Sequence, residues 1–364
     1  MKNPLAALRP GRSTDASRAQ TTKHINLALQ GGGAHGAFTC GVLEHLLSDE
    51  RIVVEGVSGS SSGAVNAVMF ADGLARGGRA EAQKRLADFW RAVSSTGSLP
   101  PLQRAVAERF LAFTPMEGSP LQTWLDTLAH YFSPYDFNPL NLNPLKDLIE
   151  RFVDFGALQV FSDLQVFISA TNVQTGRARI FPREKITADA VMASACLPEL
   201  FRAVEIDGVP YWDGGYLGNP VIFPFFATTH TEDVLVVQIN PLVRKKTPTS
   251  SSEIVNRLNE ITFNAPLLAE YRAIEFVARL IDQGRLPRGT GPGQYRRVNI
   301  HRIVLDQFGT ELDASTKLTT YYDFFEVLRV GGKRAARRFL DEHFDDLGVR
   351  STVDLRAEVQ AEWA

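Results

Sequence analysis

Ile25-Asn26-Leu27-Ala28-Leu29-Gln30-Gly31-Gly32-Gly33-Ala34-His35-Gly36 is an apolar run that stops at three glycines. Its first six residues fit a buried strand. Apolar residues then recur at 37, 38, 41, 42, 43, 46 and 47, the spacing of a helix. The pattern repeats at once. Residues 52–57 read as a second strand, Gly59-Ser60-Ser61-Ser62-Gly63 as a tight turn, and residues 63–74 as a second helix. Strand, helix, strand, helix at this spacing predicts an α/β fold on a parallel sheet with right-handed crossovers.

Further along, residues 79–155 are mostly helical but broken by prolines at 100, 101, 115, 120, 134, 139 and 144. This insert is rich in aromatics, among them Phe110, Phe113, Trp124, Tyr131, Phe132, Tyr135 and Phe137. Strands at 164–170 and 178–181 flank Thr175-Gly176, and strands at 201–206 and 209–212 flank Asp207-Gly208, a hairpin signal. Residues 233–240 are almost continuously apolar, as in a strand buried on both faces. A polar connector at 243–252 marks a boundary. Beyond it come a helix over 253–283, a Gly/Pro/Arg loop over 285–295, a strand over 299–305 and helix over 317–347. The expected organisation is a disordered basic leader (1–23), a catalytic domain (24–242) carrying the insert, and a mainly helical extension (243–364) packed on it.

A chain of 364 residues with 44% hydrophobic content can build a sizeable core. The net charge of -2 argues against non-specific nucleic-acid binding, so no nucleic-acid partner is expected. Cys40 and Cys196 have no neighbour at metal-ligand spacing and do not suggest a disulfide framework, which points to a reducing, cytoplasmic setting. The leader lacks the apolar core of a signal peptide, and no run approaches the length of a membrane span. Contact with lipid is expected only from the surface, as peripheral membrane contact. The basic cluster Lys333, Arg334, Arg337 and Arg338 is followed by Asp341, Glu342, Asp345 and Asp346, and reads as a solvated helix face.

The two glycine-rich turns carry the chemistry. A serine hydroxyl becomes a nucleophile when a base takes its proton and donors stabilise the oxyanion that follows. Of Ser58, Ser60, Ser61 and Ser62, only Ser61 has glycine two residues before and two after it, Gly59 and Gly63, as a sharp strand-to-helix elbow requires. The amides of Gly31, Gly32 and Gly33 are candidates for the oxyanion hole. The same loop also satisfies G-x-G-x-x-G through Gly31, Gly33 and Gly36, and Glu55 lies about where a ribose-binding acid belongs. A dinucleotide site is therefore the rival reading, although a nucleotide domain has no need of a second glycine-bracketed serine. His35 is read as loop, contributing backbone rather than ring. No histidine stands in a triad context. The base candidate is Asp213, in Tyr211-Trp212-Asp213-Gly214-Gly215-Tyr216, because the hairpin turn is already supplied by Asp207-Gly208. The competing reading is an ordinary turn aspartate.

Taken in order, these three motifs resemble the patatin-like phospholipase family, which pairs a glycine-rich oxyanion loop with a G-x-S-x-G serine and a downstream D-G-G/A aspartate. Ser169-Ala170-Thr171-Asn172 with Thr175-Gly176, and Ala193-Ser194-Ala195-Cys196-Leu197-Pro198, look like its bacterial branch. The resemblance spans residues 25–241. One departure is Ser62, where alanine usually follows the serine. The resemblance implies a three-layer α/β/α sandwich with a mostly parallel sheet. It also implies hydrolysis of phospholipid or lysophospholipid acyl esters by a Ser61–Asp213 dyad, without metal or other cofactor. A broad-specificity esterase or thioesterase is the nearby alternative. The aromatic insert reads as its own helical core before it reads as an acyl groove or lid.

Overall fold

The computed structural model describes residues 22–96, 143–198, 200–305, 317 and 321–360. The expected leader, up to residue 21, and the aromatic stretch at 110–137 lie outside the described residues.

One eight-stranded sheet runs through these residues. Its strands are β1 (Lys23–Leu29), β2 (Ile52–Gly59), β3 (Gln165–Asn172), β4 (Arg177–Pro182), β5 (Val204–Ile206), β6 (Val209–Asp213), β7 (Asp233–Gln238) and β8 (Asn299–Val304). The order is β5-β6-β3-β2-β1-β7-β8, with β4 also on β3. From β3 to β8 neighbours pair in parallel, whereas β4 and β6 run against β3 and β5 against β6. Every residue of β7 is buried, which explains its unbroken apolar run.

Alternate side chains feed two cores. Leu27, Leu29, Leu235 and Val237 join one, and Ala28, Val234 and Val236 the other. The first core is covered by α1 (Gly36–Ser48), α2 (Ser62–Thr96, broken at Gly78), α3 (Pro144–Phe152), α4 (Phe155–Val160) and α5 (Ala188–Ser194). The second is covered by α6 (Pro224–Thr228) and α7 (Ser251–Asp282). The result is a three-layer α/β/α sandwich.

The connector does not end the sheet. Ser250 and Glu253 form a capping box that starts α7, β8 pairs with β7 from Asp233↔Asn299 to Gln238↔Val304, and α9 (Leu355–Gln360) joins the second core. In between, α8 (Tyr322–His343) crosses to the first face and lies on α1. The two helices touch backbone to backbone: a Cβ on Gly41 would overlap the Arg329 carbonyl, and one on Gly332 that of Phe38. Buried Glu44 of α1 is held by Arg329 at 2.8 Å and Lys333 at 2.6 Å, as a carboxylate removed from water must be. Lys333 thus departs from the solvated face expected of its cluster, while Arg334, Arg337 and Arg338 remain exposed. Among the described residues no helix is long and apolar enough to cross a membrane.

Candidate active site

Between Gly59 and Ser62 the chain turns from β2 into α2, and Ser61 takes the turn at φ 54. A left-handed backbone costs a residue with a Cβ roughly 1–2 kcal/mol. The flanking positions leave no choice: a Cβ at Gly59 would overlap the Gly63 carbonyl, and one at Gly63 that of Leu29. The Ser61 N–H donates to Ser194, to Oγ at 3.0 Å and to the carbonyl at 3.1 Å.

Asp213 closes β6. It pairs in register with Ala170 of β3, two residues beyond the Ile168 that pairs with Gly59. With β4 filling the opposite edge of β3 over Phe167–Asn172, β2 and β6 meet end to end along one edge, so the turn after Gly59 and Asp213 leave the sheet side by side. Two sets of hydrogen bonds sew them together. The Ser60 hydroxyl meets Ser169 Oγ at 2.6 Å and also Gly218 O, and Ser169 Oγ donates to Gly218 O at 2.9 Å. The Asp213 N–H donates to Cys196 O at 2.7 Å, two residues along from the Ser194 that holds Ser61. Two residues of chain span at most about 7 Å, so residues 194–196 fix Ser61 and Asp213 against one short strut. Asp213 is wholly buried. Its Oδ1 accepts the Gly215 N–H at 2.7 Å, and its carbonyl accepts Thr171 Oγ1 at 2.8 Å.

The glycine loop leaves β1 and passes directly over the serine, where a Cβ at Gly31 would lie 2.6 Å from Ser61 Cβ. Its three amides are not equivalent. That of Gly31 donates to Asn219 Oδ1 at 2.6 Å, and that of Gly32 to Ser62 Oγ at 3.1 Å. Among the described residues, no hydrogen bond takes the amide of Gly33, which sits at φ 58. The hydroxyl that sets Ser62 apart from alanine thus ties the loop to the elbow.

Charge enters from an unexpected quarter. Half-buried Lys317 packs its backbone carbonyl against Gly33, donates from Nζ to Asn240 Oδ1 at 2.7 Å and lies 5.8 Å over the Phe263 ring. Burial lowers its pKa to about 8, helped by Arg244 and opposed by the negative charges of Glu260 and Asp213. Burial also lowers His35 to about 3, with Lys317 and Arg244 adding to the effect. Its ring is 3% exposed and leans on Phe324, so it is a feeble base at neutral pH. The Glu55 carboxylate is engaged too, with His24 Nδ1 at 2.9 Å and the amides of His230 and Thr231 at 2.7 and 3.0 Å. That engagement, and the internal use of the Gly31 and Gly32 amides, weigh against a dinucleotide cradle. An apolar groove of about 230 Å³ near Leu46, Ile52, Phe70 and Leu164 sits at the start of β2, the far end from Ser61.

Residues 27–226 match the family described as Patatin-like phospholipase. The chain belongs to that family. No curated protein matches it. Among solved structures it is similar to VipD from Legionella pneumophila, at 15% identity and a TM-score of 0.42 over 89% of this chain and 67% of that one. It is also similar to the type III effector ExoU, at 13% identity and a TM-score of 0.30 over 88% of this chain and 53% of that one. A second ExoU structure, in complex with SpcU from Pseudomonas aeruginosa, gives 16% identity and a TM-score of 0.27 over 68% of this chain. The chain spans about half the length of ExoU. These likenesses are too distant to carry more than the family does.

In this patatin-like protein the polar residues whose contacts emerge only from the structure are Ser60, Ser169, Ser194, Asn219, Asn240 and half-buried Lys317. Ser169 and Ser194 lie in segments that carry the bacterial resemblance, which is the signal that could have found them. Lys317 had none.

Proposed function

We propose that this patatin-like protein is a phospholipid or lysophospholipid acyl hydrolase working through Ser61 and Asp213. The observation that carries the reading is Ser61 itself, held in a left-handed backbone by a turn that admits only glycine two residues before and two after it. Strain of this kind persists where the surroundings enforce it, and it lifts the hydroxyl clear of the sheet. In the proposed cycle Ser61 Oγ attacks the ester carbonyl and its proton passes to the Asp213 carboxylate. The Gly33 amide, with the opening amide of α2 at Ser62, holds the oxyanion. Collapse of the tetrahedral intermediate breaks the ester C–O bond, and the leaving alkoxide takes the proton from Asp213. Asp213 then draws a proton from water, whose oxygen attacks acyl-Ser61; as the Ser61 C–O bond breaks, Asp213 returns that proton to Ser61 Oγ and the fatty acid leaves. Of the three loop glycines, Gly31 and Gly32 serve this scheme by keeping the loop in place. The substrate is a lipid ester met from the surface of a membrane or micelle, in the cytoplasm.

A fluorophosphonate probe tests the nucleophile: wild-type protein is labelled and Ser61→Ala is not. Equal labelling of the two rejects Ser61. Asp213→Asn is expected to lower turnover of a short acyl ester by about 10²–10⁴-fold, and near-normal turnover rejects Asp213 as the base. Hydrolysis of acyl-CoA in preference to any glycerolipid ester would favour the thioesterase alternative.

A further inference from the structure

The family match ends at residue 226, yet two consecutive residues of α7 reach the catalytic loops. The Phe263 ring packs on Gly215, beside Asp213, and 5.3 Å from the Tyr216 ring. The Phe263 carbonyl accepts from Asn219 Nδ2 at 3.2 Å. Asn264 faces the other loop, accepting from Gln30 Nε2 at 3.0 Å and donating to Pro241 O at 3.0 Å.

Gln30 is the hub of this arrangement. Three N–H groups converge on its Oε1, from Ile239 at 3.0 Å, from the Asn240 backbone at 3.0 Å and from Asn240 Nδ2 at 3.2 Å. That convergence fixes which end of the amide is oxygen. Its NH₂ must then find acceptors in a site with no exposure to water, and it uses Asn264 Oδ1 and Asn219 O. Asn219 and Asn240 in turn grip the Gly31 peptide at both ends. Asn219 Oδ1 takes its N–H at 2.6 Å, and Asn240 Nδ2 donates to its carbonyl at 2.8 Å. Gly31 is the residue that touches Ser61 Cβ.

We propose that the region beyond the family match is a working part of the active site, with Asn264 a positioning residue that acts through Gln30 on the Gly31 peptide. The inference rests on the hydrolase reading above. Asn264 touches no reacting atom; it orients the hub amide, and the hub amide sets where the oxyanion loop stands over Ser61. Displacements of about 1 Å in such a loop can cost 10²-fold in rate.

The test compares Asn264→Leu, Asn264→Ala and wild type in the full chain, using a soluble p-nitrophenyl acyl ester and the rate of fluorophosphonate labelling. Asn264→Leu is expected to lower kcat about 10–100-fold with KM within about threefold, and to slow labelling in parallel. Asn264→Ala is expected to lose less, because a water can enter and accept from Gln30. A role in packing alone predicts the reverse ranking, since leucine fills the site and alanine does not. Combined with Gln30→Leu, Asn264→Leu should cost nothing further. The inference is overturned by kcat within twofold of wild type, by a change confined to KM, or by additive losses in the double variant. Should Asn264→Leu fail to fold, Asn264→Ala decides alone: a kcat loss of about fivefold at unchanged KM supports the inference, and unchanged kcat overturns it. A wild-type protein that neither hydrolyses an ester nor takes the probe overturns the proposed function and this inference together. An active wild type with indifferent Asn264 variants overturns only the latter.

Discussion

Acidification should weaken this protein measurably through a single imidazole. His35 is buried behind the glycine loop with its pKa lowered from 6.5 to about 3, burial being the main cause. The folded state therefore prefers the neutral ring, and an unfolded chain binds one more proton than the folded one between pH 6.5 and about 3. Stability contributed by this preference is intact above 6.5 and is lost as pH falls through that window. Each pH unit costs about 1.4 kcal/mol, giving about 2 kcal/mol by pH 5 relative to pH 7 and about 5 kcal/mol in full. Typical domains hold only about 5–15 kcal/mol in reserve, so the effect is large enough to see. Urea unfolding of wild type and His35→Gln at pH 7, 6 and 5 measures it. Carboxylate contributions appear in both proteins and cancel in the difference. Wild type should lose about 2 kcal/mol more than the variant between pH 7 and 5. Parallel losses would mean that the folded protein accommodates the imidazolium, and the argument from burial would fail.

Three further outcomes follow from the same geometry. Ser61→Gly relieves the left-handed backbone and, after the entropy cost of glycine, should raise stability by about 0.5–1 kcal/mol while abolishing activity; a loss of stability in urea would show that the elbow is not strained. Gly33→Ala combines a φ of 58 with a clash against the Lys317 carbonyl. It should slow fluorophosphonate labelling of Ser61 at least tenfold, and labelling at the wild-type rate would remove the Gly33 amide from the oxyanion site. With Lys317 lowered to about 8, ester hydrolysis should fall on the alkaline side of pH 8, as the charge on the Nζ that holds Asn240 Oδ1 is lost, and persist in Lys317→Arg, whose guanidinium stays charged; identical alkaline profiles would dismiss its charge.

How much was legible in the sequence depended on whether the constraint was local. The paired turns at 31–36 and 59–63 impose backbone geometry within a few residues, and the structure shows the steric reasons in the carbonyls of Leu29 and Gly63. The Asp207-Gly208 hairpin is of the same kind, with both residues at positive φ. Buried amides are different. Gln30, Asn219, Asn240 and Asn264 meet across separations of up to 234 residues, and each taken singly is an unremarkable polar residue. No periodicity marks them, because their pattern exists only once the strands are paired. The same holds for Lys333, whose partner Glu44 lies on α1, nearly 290 residues away. Polar satisfaction is a property of the folded whole, and a linear reading reaches it last.

The position of β1 has a consequence for how the chain is made. Among the described strands it is the earliest to be synthesised, yet it ends in the middle of the sheet, between β2 and β7. At ordinary rates of synthesis the roughly 200 residues that separate β1 from β7 take about 10–40 s to appear. Through that interval the nascent chain carries an apolar strand with one edge open, the state most prone to pairing with a neighbour. β8, later still, caps the far side. A low growth temperature or abundant holdase should therefore raise the yield of soluble protein more than any change at its surface, because the hazard lies in the waiting.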